Sequence, residues 1–145
     1  MKALLQRVSA AKVEVDGEIV GEIEQGLLVL LGLDKGDDEE LGQRMLDKLL
    51  SYRVFADEAG RMNRSVADIN GGVLLVSQFT LSADTRKGAR PSFSSAMPPA
   101  DAEALYDRTL ELLREKHSTV AAGRFGADMQ VSLTNDGPVT FMLEL

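Results

Sequence analysis

The stretch from Gly71 to Leu81 constrains the fold of this chain more than any other. It opens with two glycines, continues with four aliphatic residues at 73–76, and ends in a segment that contains three polar residues, Ser77, Gln78 and Thr80. An aliphatic run of this kind is typical of a strand that is buried on both faces. A polar group buried without a partner costs about 2–7 kcal/mol, so the polar strand end is expected to face a ligand, water or backbone. The alternative is that these side chains only tie down a turn.

Length and composition indicate a single domain, residues 1–145. The chain is long enough for one hydrophobic core and too short for two, and its 44% hydrophobic and 27% charged residues are ordinary for a globular protein. No apolar run reaches the roughly 18 residues that a membrane span needs. The first residues lack the apolar segment of a signal peptide. We therefore expect a cytoplasmic protein without a membrane partner.

Residue counts exclude several kinds of site. There is no cysteine, which excludes disulfides, thiol catalysis and thiolate metal ligands, and the single histidine, His117, cannot form a multi-histidine metal site. We therefore expect neither a metal nor a cofactor. The net charge of −7 argues against non-specific coating of nucleic acid, although it leaves room for a small basic patch.

Hydrophobic periodicity predicts about seven strands and two helices. Asp16-Gly17, between two alternating segments, predicts a hairpin. The first helix is expected to start after an Asp37 cap and to end near Tyr52, and the second to enter at Pro98-Pro99. The predicted strands include Lys2–Val8, Ala11–Val15, Glu18–Ile23, Leu27–Leu33, Arg53–Phe55, Arg124–Leu133 and the last residues from Val139. The fold class is therefore α+β, with a mainly antiparallel sheet or open barrel and two packed helices.

Two further segments have both a structural and a functional interpretation. The loop Ala83–Pro91 carries Arg86, Lys87 and Arg90, which are either solvated or placed to contact phosphates. The pair Gly137-Pro138 is either a plain turn between strands or a point where a backbone carbonyl approaches a ligand closely. X-Pro bonds are trans by default.

The usual catalytic motifs are absent. The sequence has no glycine-rich nucleotide loop, no paired histidine and glutamate for zinc and no Gly-x-Ser-x-Gly elbow, and His117 falls at a helix end predicted to lie on the surface. A covalent mechanism is open only to Ser77 or Thr80, without an obvious base. The other route is to hold substrate and water in place and to stabilise an oxyanion with fixed N–H donors.

Two motifs together resemble the D-aminoacyl-tRNA deacylases, also called D-tyrosyl-tRNA deacylases. They are Ser77-Gln78-Phe79-Thr80-Leu81 and Asn135-Asp136-Gly137-Pro138-Val139-Thr140-Phe141. The resemblance covers the chain from end to end, because further segments match in order and spacing: 5–8, 16–17, 26–32, 90–93 and 123–129.

The resemblance implies a homodimeric esterase that removes D-amino acids from the acceptor end of tRNA, with its active site at the subunit interface. In this family the Gly-Pro bond is cis. The dipeptide of one subunit reaches into the other's pocket and binds the α-amino group of the substrate through its carbonyls. Carried onto this chain, Gly137 and Pro138 form a chirality filter that collides with an L side chain. Rejection by collision does not exclude glycine, so activity on glycyl-tRNA is also implied.

The same resemblance implies roles for further residues. Ser77, Gln78, Phe79 and Thr80 line the pocket for the terminal adenosine and the ester, with the backbone amides of Phe79 and Thr80 as oxyanion donors. The terminal 2′-hydroxyl of the tRNA, rather than a side-chain nucleophile, is expected to assist hydrolysis. Supporting residues are also implied: Arg7 braces the Gly-Pro segment, and Phe125 and Met129 shape the pocket wall.

Two expectations concern RNA binding. Arg86, Lys87 and Arg90 are expected to provide some of the few phosphate contacts that an acidic protein gripping only the acceptor end needs. The competing hypothesis is a non-catalytic module that binds an RNA end without hydrolysing it. No role is predicted for Asp136.

Overall fold

A computed structural model describes residues 1–145 and contains eight strands, two α-helices and one short 3-10 turn. The strands are β1 (Lys2–Val15), β2 (Glu18–Ile23), β3 (Gly26–Gly32), β4 (Phe55–Ala56), β5 (Met62–Arg64), β6 (Gly72–Ser77), β7 (Val120–Ala122) and β8 (Gln130–Glu144). The helices are α1 (Glu39–Ser51) and α2 (Pro99–Lys116), and the 3-10 turn spans Phe79–Ser82. Neither helix has the length and apolar composition to cross a membrane.

The long strand β1 organises the main sheet. It runs without a break where two strands were predicted, and it pairs antiparallel with β8 on one edge and with β3 and then β2 on the other. β6 adds to β3 and β7 adds to β6, both in parallel. The backbone of Gly21 in β2 touches that of Ala122 in β7, so the sheet curls into a nearly closed barrel. The predicted α+β class, an open barrel with two helices, is confirmed, with a parallel component that the sequence did not indicate.

β6 is buried on both faces, as its aliphatic run predicted. Val73 and Leu75 belong to the core that α1 and α2 cover, whereas Leu74 and Val76 belong to a second cluster with the apolar side chains of β1. All four are at most 1% exposed, so β6 lies in the middle of the protein and its end is fixed by packing on both sides.

The helix ends differ from prediction in two respects. Asp38, not Asp37, caps α1, because Asp38 Oδ1 accepts the Leu41 N–H at 2.9 Å. Asp37 instead accepts the Asp34 N–H at 2.8 Å. The surface position predicted for His117 is wrong: its ring is buried and its Nε2 lies 2.6 Å from the Gly71 carbonyl oxygen. His117 therefore ties the end of α2 to the start of β6.

The turn predicted at Asn135–Pro138 is also wrong. β8 continues through this segment beside the same partner strand, because Asn135 pairs with Val8 and Thr140 with Gln6. Residues 136–139 bulge out opposite Arg7, and the Gly137-Pro138 peptide bond is cis, as the resemblance implied. At its other end β8 begins at Gln130, so residues 124–129 form a loop rather than the predicted strand.

Candidate active site

A cavity of about 670 Å³ opens at the end of β6. Its size lies within the usual range of small-molecule sites, about 300–1,000 Å³. Four parts of the chain enclose it: the end of β3 with the residues that follow it, the end of β6 with the 3-10 turn, the segment that leads into α2, and the loop before β8. Most of its lining residues are hydrophobic, and Lys35 is the one ionisable residue among them.

The end of β6 borders the cavity because the backbone that follows it packs closely against the end of β3. The Gln78 N–H donates to the Leu31 carbonyl at 2.8 Å, and a Cβ on Gly32 would lie 2.8 Å from Leu81 Cβ. Glycine at position 32 thus lets the 3-10 turn lie against the end of β3. Phe79 and Thr80 are the first two residues of this turn, and amides at such a start have no acceptor within the turn.

Two of the polar side chains at this end, those of Gln78 and Thr80, bond to each other. Gln78 Nε2 donates to Thr80 Oγ1 at 2.6 Å, and no hydrogen bond joins Ser77 or Thr80 to a histidine, carboxylate or lysine. Ser77, Gln78 and Phe79 line the cavity, whereas Thr80 is exposed beside it. No group of three or more His, Asp or Glu side chains is placed to hold a metal ion.

The opposite wall contains Phe125 and Met129, the two predicted wall residues. Phe125 packs against Tyr106, with ring centroids 5.8 Å apart, and the Tyr106 hydroxyl donates to the Leu75 carbonyl at 2.9 Å. Burial raises the pKa of Tyr106 to about 12, so this hydroxyl keeps its proton. Met129 Sδ accepts the Arg124 N–H at 3.4 Å. Both wall residues are held by contacts outside the cavity.

Phe93 is a cavity residue that the sequence did not single out. Its ring lies 5.0 Å from that of Phe79, centroid to centroid, and both rings line the cavity and face solvent. Phe93 belongs to the segment 90–93 that matched the family, but no periodicity marks it as a site residue.

The basic loop carries fewer free charges than the sequence suggested. An antiparallel bridge between Asp84 and Ser92 closes it, and Arg86 forms a bidentate pair with Asp84, with distances of 2.7 and 2.9 Å. The Arg86 guanidinium holds the pKa of Asp84 well below its usual range. Lys87 and Arg90 are exposed and form no ion pair, so they are the two free cations of this loop.

Gly137 and Pro138 do not line the cavity of their own chain. Both are exposed on the bulge of β8. Their neighbour Asn135 stabilises the bulge, because its Nδ2 donates to the carbonyls of Arg7 and Val139 at 2.9 and 3.0 Å. The structure therefore gathers the predicted residues into two places, a cavity and a separate exposed bulge.

Arg7, predicted to brace the Gly-Pro segment, is in contact with the bulge. Its Nε donates to the Asp136 carbonyl at 3.0 Å, and a second nitrogen donates to the Val54 carbonyl at 2.7 Å. The Asp136 carboxylate lies 3.6 Å from the same Nε. Asp136, which had no predicted role, is thus the residue that Arg7 binds next to Gly137.

The chain is similar to known proteins along nearly its whole length. The family model described as D-Tyr-tRNA(Tyr) deacylase matches residues 4–144. Proteins named D-aminoacyl-tRNA deacylase from Ectopseudomonas mendocina and Stutzerimonas stutzeri are 65% and 66% identical. The alignments cover 100% of both chains for the first and 99% of both for the second.

Solved structures are also similar. One described as c-Myc DNA unwinding element binding protein superimposes with a TM-score of 0.96 at 44% identity, covering 100% of this chain and 99% of the other. A probable eukaryotic D-amino acid tRNA deacylase gives 0.85 at 19% identity over 99% and 98% of the two chains, which shows a shared fold. The family model spans nearly the whole sequence, and the chain belongs to the D-Tyr-tRNA(Tyr) deacylase family.

Proposed function

We propose that this chain hydrolyses the ester of D-aminoacyl-tRNA and releases the free D-amino acid and tRNA, as an enzyme of chiral proofreading in translation. The observation that carries the proposal is the cavity at the end of β6, whose polar end is built from the family motif at 77–80. The names of relatives at 65% and 66% identity agree with it.

The active site is completed by a second copy of the chain. Gly137 and Pro138 are exposed and lie outside the cavity of their own chain, so a filter made of these residues has to act on another chain's cavity. β8 pairs only with β1, and its outer edge is free over fifteen residues. Phe141, Met142 and Leu145 are 36–43% exposed. A long free edge with exposed apolar side chains is a surface suited to association with another chain.

Chirality is selected by collision with the Gly-Pro segment. The backbone carbonyls of Gly137 and Pro138 bind the α-amino group, and an L side chain meets the dipeptide whereas a D side chain points away. Glycine has no side chain to reject, so glycyl-tRNA is also a substrate.

Hydrolysis proceeds without a side-chain nucleophile. The hydroxyl groups of Ser77 and Thr80 have no base beside them, and an unactivated hydroxyl is a weak nucleophile. Ser77, Gln78, Phe125 and Met129 position the terminal adenosine and its ester. The amides of Phe79 and Thr80 stabilise the oxyanion that forms when water attacks the ester carbonyl. The terminal 2′-hydroxyl of the tRNA assists the proton transfers.

The free cations of the basic loop contact phosphates of the acceptor end. Lys87 and Arg90 are available for this role, whereas the charge of Arg86 is already paired with Asp84. A few such contacts suit an acidic protein that grips only the end of an RNA.

A module that binds a nucleic-acid end without catalysis is the second candidate, because the 44% identical relative is described as a DNA-element binding protein. The test is release of D-tyrosine from D-tyrosyl-tRNA by the purified chain, alongside binding of the uncharged tRNA. Turnover supports the deacylase. Tight binding with no release above the spontaneous rate would favour the binding module.

A further inference from the structure

Two large aromatic side chains are exposed together at the mouth of the cavity. Phe79 is 60% and Phe93 41% exposed, and the rings are tilted by 50° with centroids 5.0 Å apart. Exposed single hydrophobic residues are common, but a contacting pair at the rim of a site is a feature that favours binding. Neither ring belongs to the hydrophobic core.

Backbone contacts hold Phe93 in place. Ser92 exchanges two hydrogen bonds with Asp84, at 2.8 and 3.0 Å, and the Phe93 carbonyl accepts the Ala96 N–H at 3.1 Å. Ser95 Oγ donates to the Ser82 carbonyl at 2.8 Å and so links the segment to the 3-10 turn that carries Phe79. The two rings are thus presented by one connected piece of backbone, which lowers the entropic cost of binding a flat partner.

The charges around the pair are suited to a nucleic-acid strand. Lys87 and Arg90 are exposed on the loop closed beside Phe93, and Lys35 lines the cavity. The one carboxylate of the loop, that of Asp84, is paired with Arg86. Aromatic rings beside free cations are the combination that proteins use to bind single-stranded nucleic acid, with bases on the rings and phosphates near the cations.

We propose that Phe79 and Phe93 form a stacking platform for the base of the penultimate nucleotide of the tRNA. The inference rests on the proposed function, because the terminal adenosine occupies the cavity and the nucleotide before it leaves through the mouth, where the two rings lie. The platform is insensitive to base identity, since every base has a face to stack. It helps to hold the ester in the cavity by fixing the strand one nucleotide away.

The first measurement is binding of an uncharged acceptor-stem minihelix that carries 2-aminopurine at the penultimate position. Stacking on Phe79 and Phe93 is expected to change the fluorescence of 2-aminopurine on binding. Phe93→Ala is expected to reduce that change and to weaken binding about 5- to 150-fold, the range for loss of one base–aromatic stack. Phe93→Leu keeps an apolar side chain without an aromatic face, and it is expected to lie between the wild type and Phe93→Ala.

A second minihelix, abasic at the penultimate position, isolates the stack. It is expected to bind the wild type at least as weakly as the complete minihelix binds Phe93→Ala, which keeps the Phe79 ring, and Phe93→Ala is expected to weaken it no further. Equal weakening of both minihelices by Phe93→Ala would overturn the proposal. So would an unchanged fluorescence together with a shift in dimer dissociation, which would assign the rings to contact with the second copy. The minihelix carries no ester, so its binding and its fluorescence do not depend on hydrolysis. Failure of hydrolysis would therefore count against the proposed function but not against the stacking platform.

Discussion

Arg7 binds Asp136 through two contacts, a hydrogen bond from Nε to the Asp136 carbonyl at 3.0 Å and an ion pair with its carboxylate at 3.6 Å. The same guanidinium donates to the Val54 carbonyl at 2.7 Å. Arg7 therefore connects β1, the bulge of β8 and the segment before β4. This connection holds the residue next to Gly137, and we therefore expect the position of the Gly-Pro segment to depend on Arg7.

Arg7→Ala is expected to destabilise the protein and to loosen the filter. The carbonyls of Asp136 and Val54 lose a charged donor on a side chain that is only 15% exposed. We expect a loss of about 2 kcal/mol, and a Tm lower by roughly 4–8 °C at fixed protein concentration. The rate ratio of D- to L-tyrosyl-tRNA hydrolysis is also expected to fall. Arg44→Ala, at an exposed position of α1, serves as the control and is expected to change neither quantity. A discrimination ratio that survives Arg7→Ala would contradict the bracing role.

Gly137→Ala is expected to impair discrimination directly. Gly137 has φ +138°, and an added Cβ would lie 2.7 Å from Val139 Cγ2 and 3.2 Å from the Arg7 guanidinium, so the segment has to shift. The D to L rate ratio is the measurement. Gly60→Ala is a matched control, because Gly60 has φ +80° and open space around the added atom. It likewise places a Cβ on a backbone of positive φ, at a cost of roughly 1–2 kcal/mol, without a filter role. Equal ratios in both variants and the wild type would argue against Gly137 as part of the filter.

Thr80→Ala is expected to leave substantial activity, because the Thr80 hydroxyl has no nucleophilic role in the proposed mechanism. Its hydroxyl accepts a hydrogen bond from Gln78 at 2.6 Å, so a moderate loss, within about tenfold, is expected from a misplaced Gln78 side chain. Gln78→Ala measures that contribution separately. Complete loss of turnover in Thr80→Ala, with tRNA binding intact and Gln78→Ala still active, would restore Thr80 as the nucleophile.

Replacing the terminal adenosine by 2′-deoxyadenosine is expected to slow hydrolysis while leaving binding almost unchanged. A positioned proton-transfer group typically contributes about 10²–10⁴-fold, so a D-tyrosyl ester on the 3′-oxygen of such a tRNA is expected to lose roughly that factor in kcat. Single-turnover rates with the normal and the deoxy substrate measure it. Similar rates for the two substrates would show that the 2′-hydroxyl takes no part.

The sequence predicted those features that depend on local pattern. The aliphatic run at 73–76 specified a strand buried on both faces, and the charged start of α1 located that helix to within one residue of its cap. Asp37 and Asp38 are equivalent by pattern, and only the contact of Asp37 with the Asp34 amide shows which of the two is free to cap.

Structural features that depend on contacts with residues far away in the sequence could not be predicted. His117 is buried because the Gly71 carbonyl lies where its ring can reach it, which no pattern around position 117 indicates. Gly-Pro between two alternating segments is typical of a turn, whereas here β1 keeps its pairing with β8 on both sides of the bulge. Phe93 becomes a site residue only because the closed loop brings it against Phe79.

The most direct test of the central claim is hydrolysis of three esters on one tRNA, D-tyrosyl, L-tyrosyl and glycyl, by the purified chain in the presence of a chelator. We predict rapid release of D-tyrosine and glycine above their spontaneous rates, with the L ester spared. Release of L-tyrosine as fast as D-tyrosine, or rejection of the glycyl ester with the L ester, would contradict a filter that works by collision of the Gly137-Pro138 backbone with an L side chain.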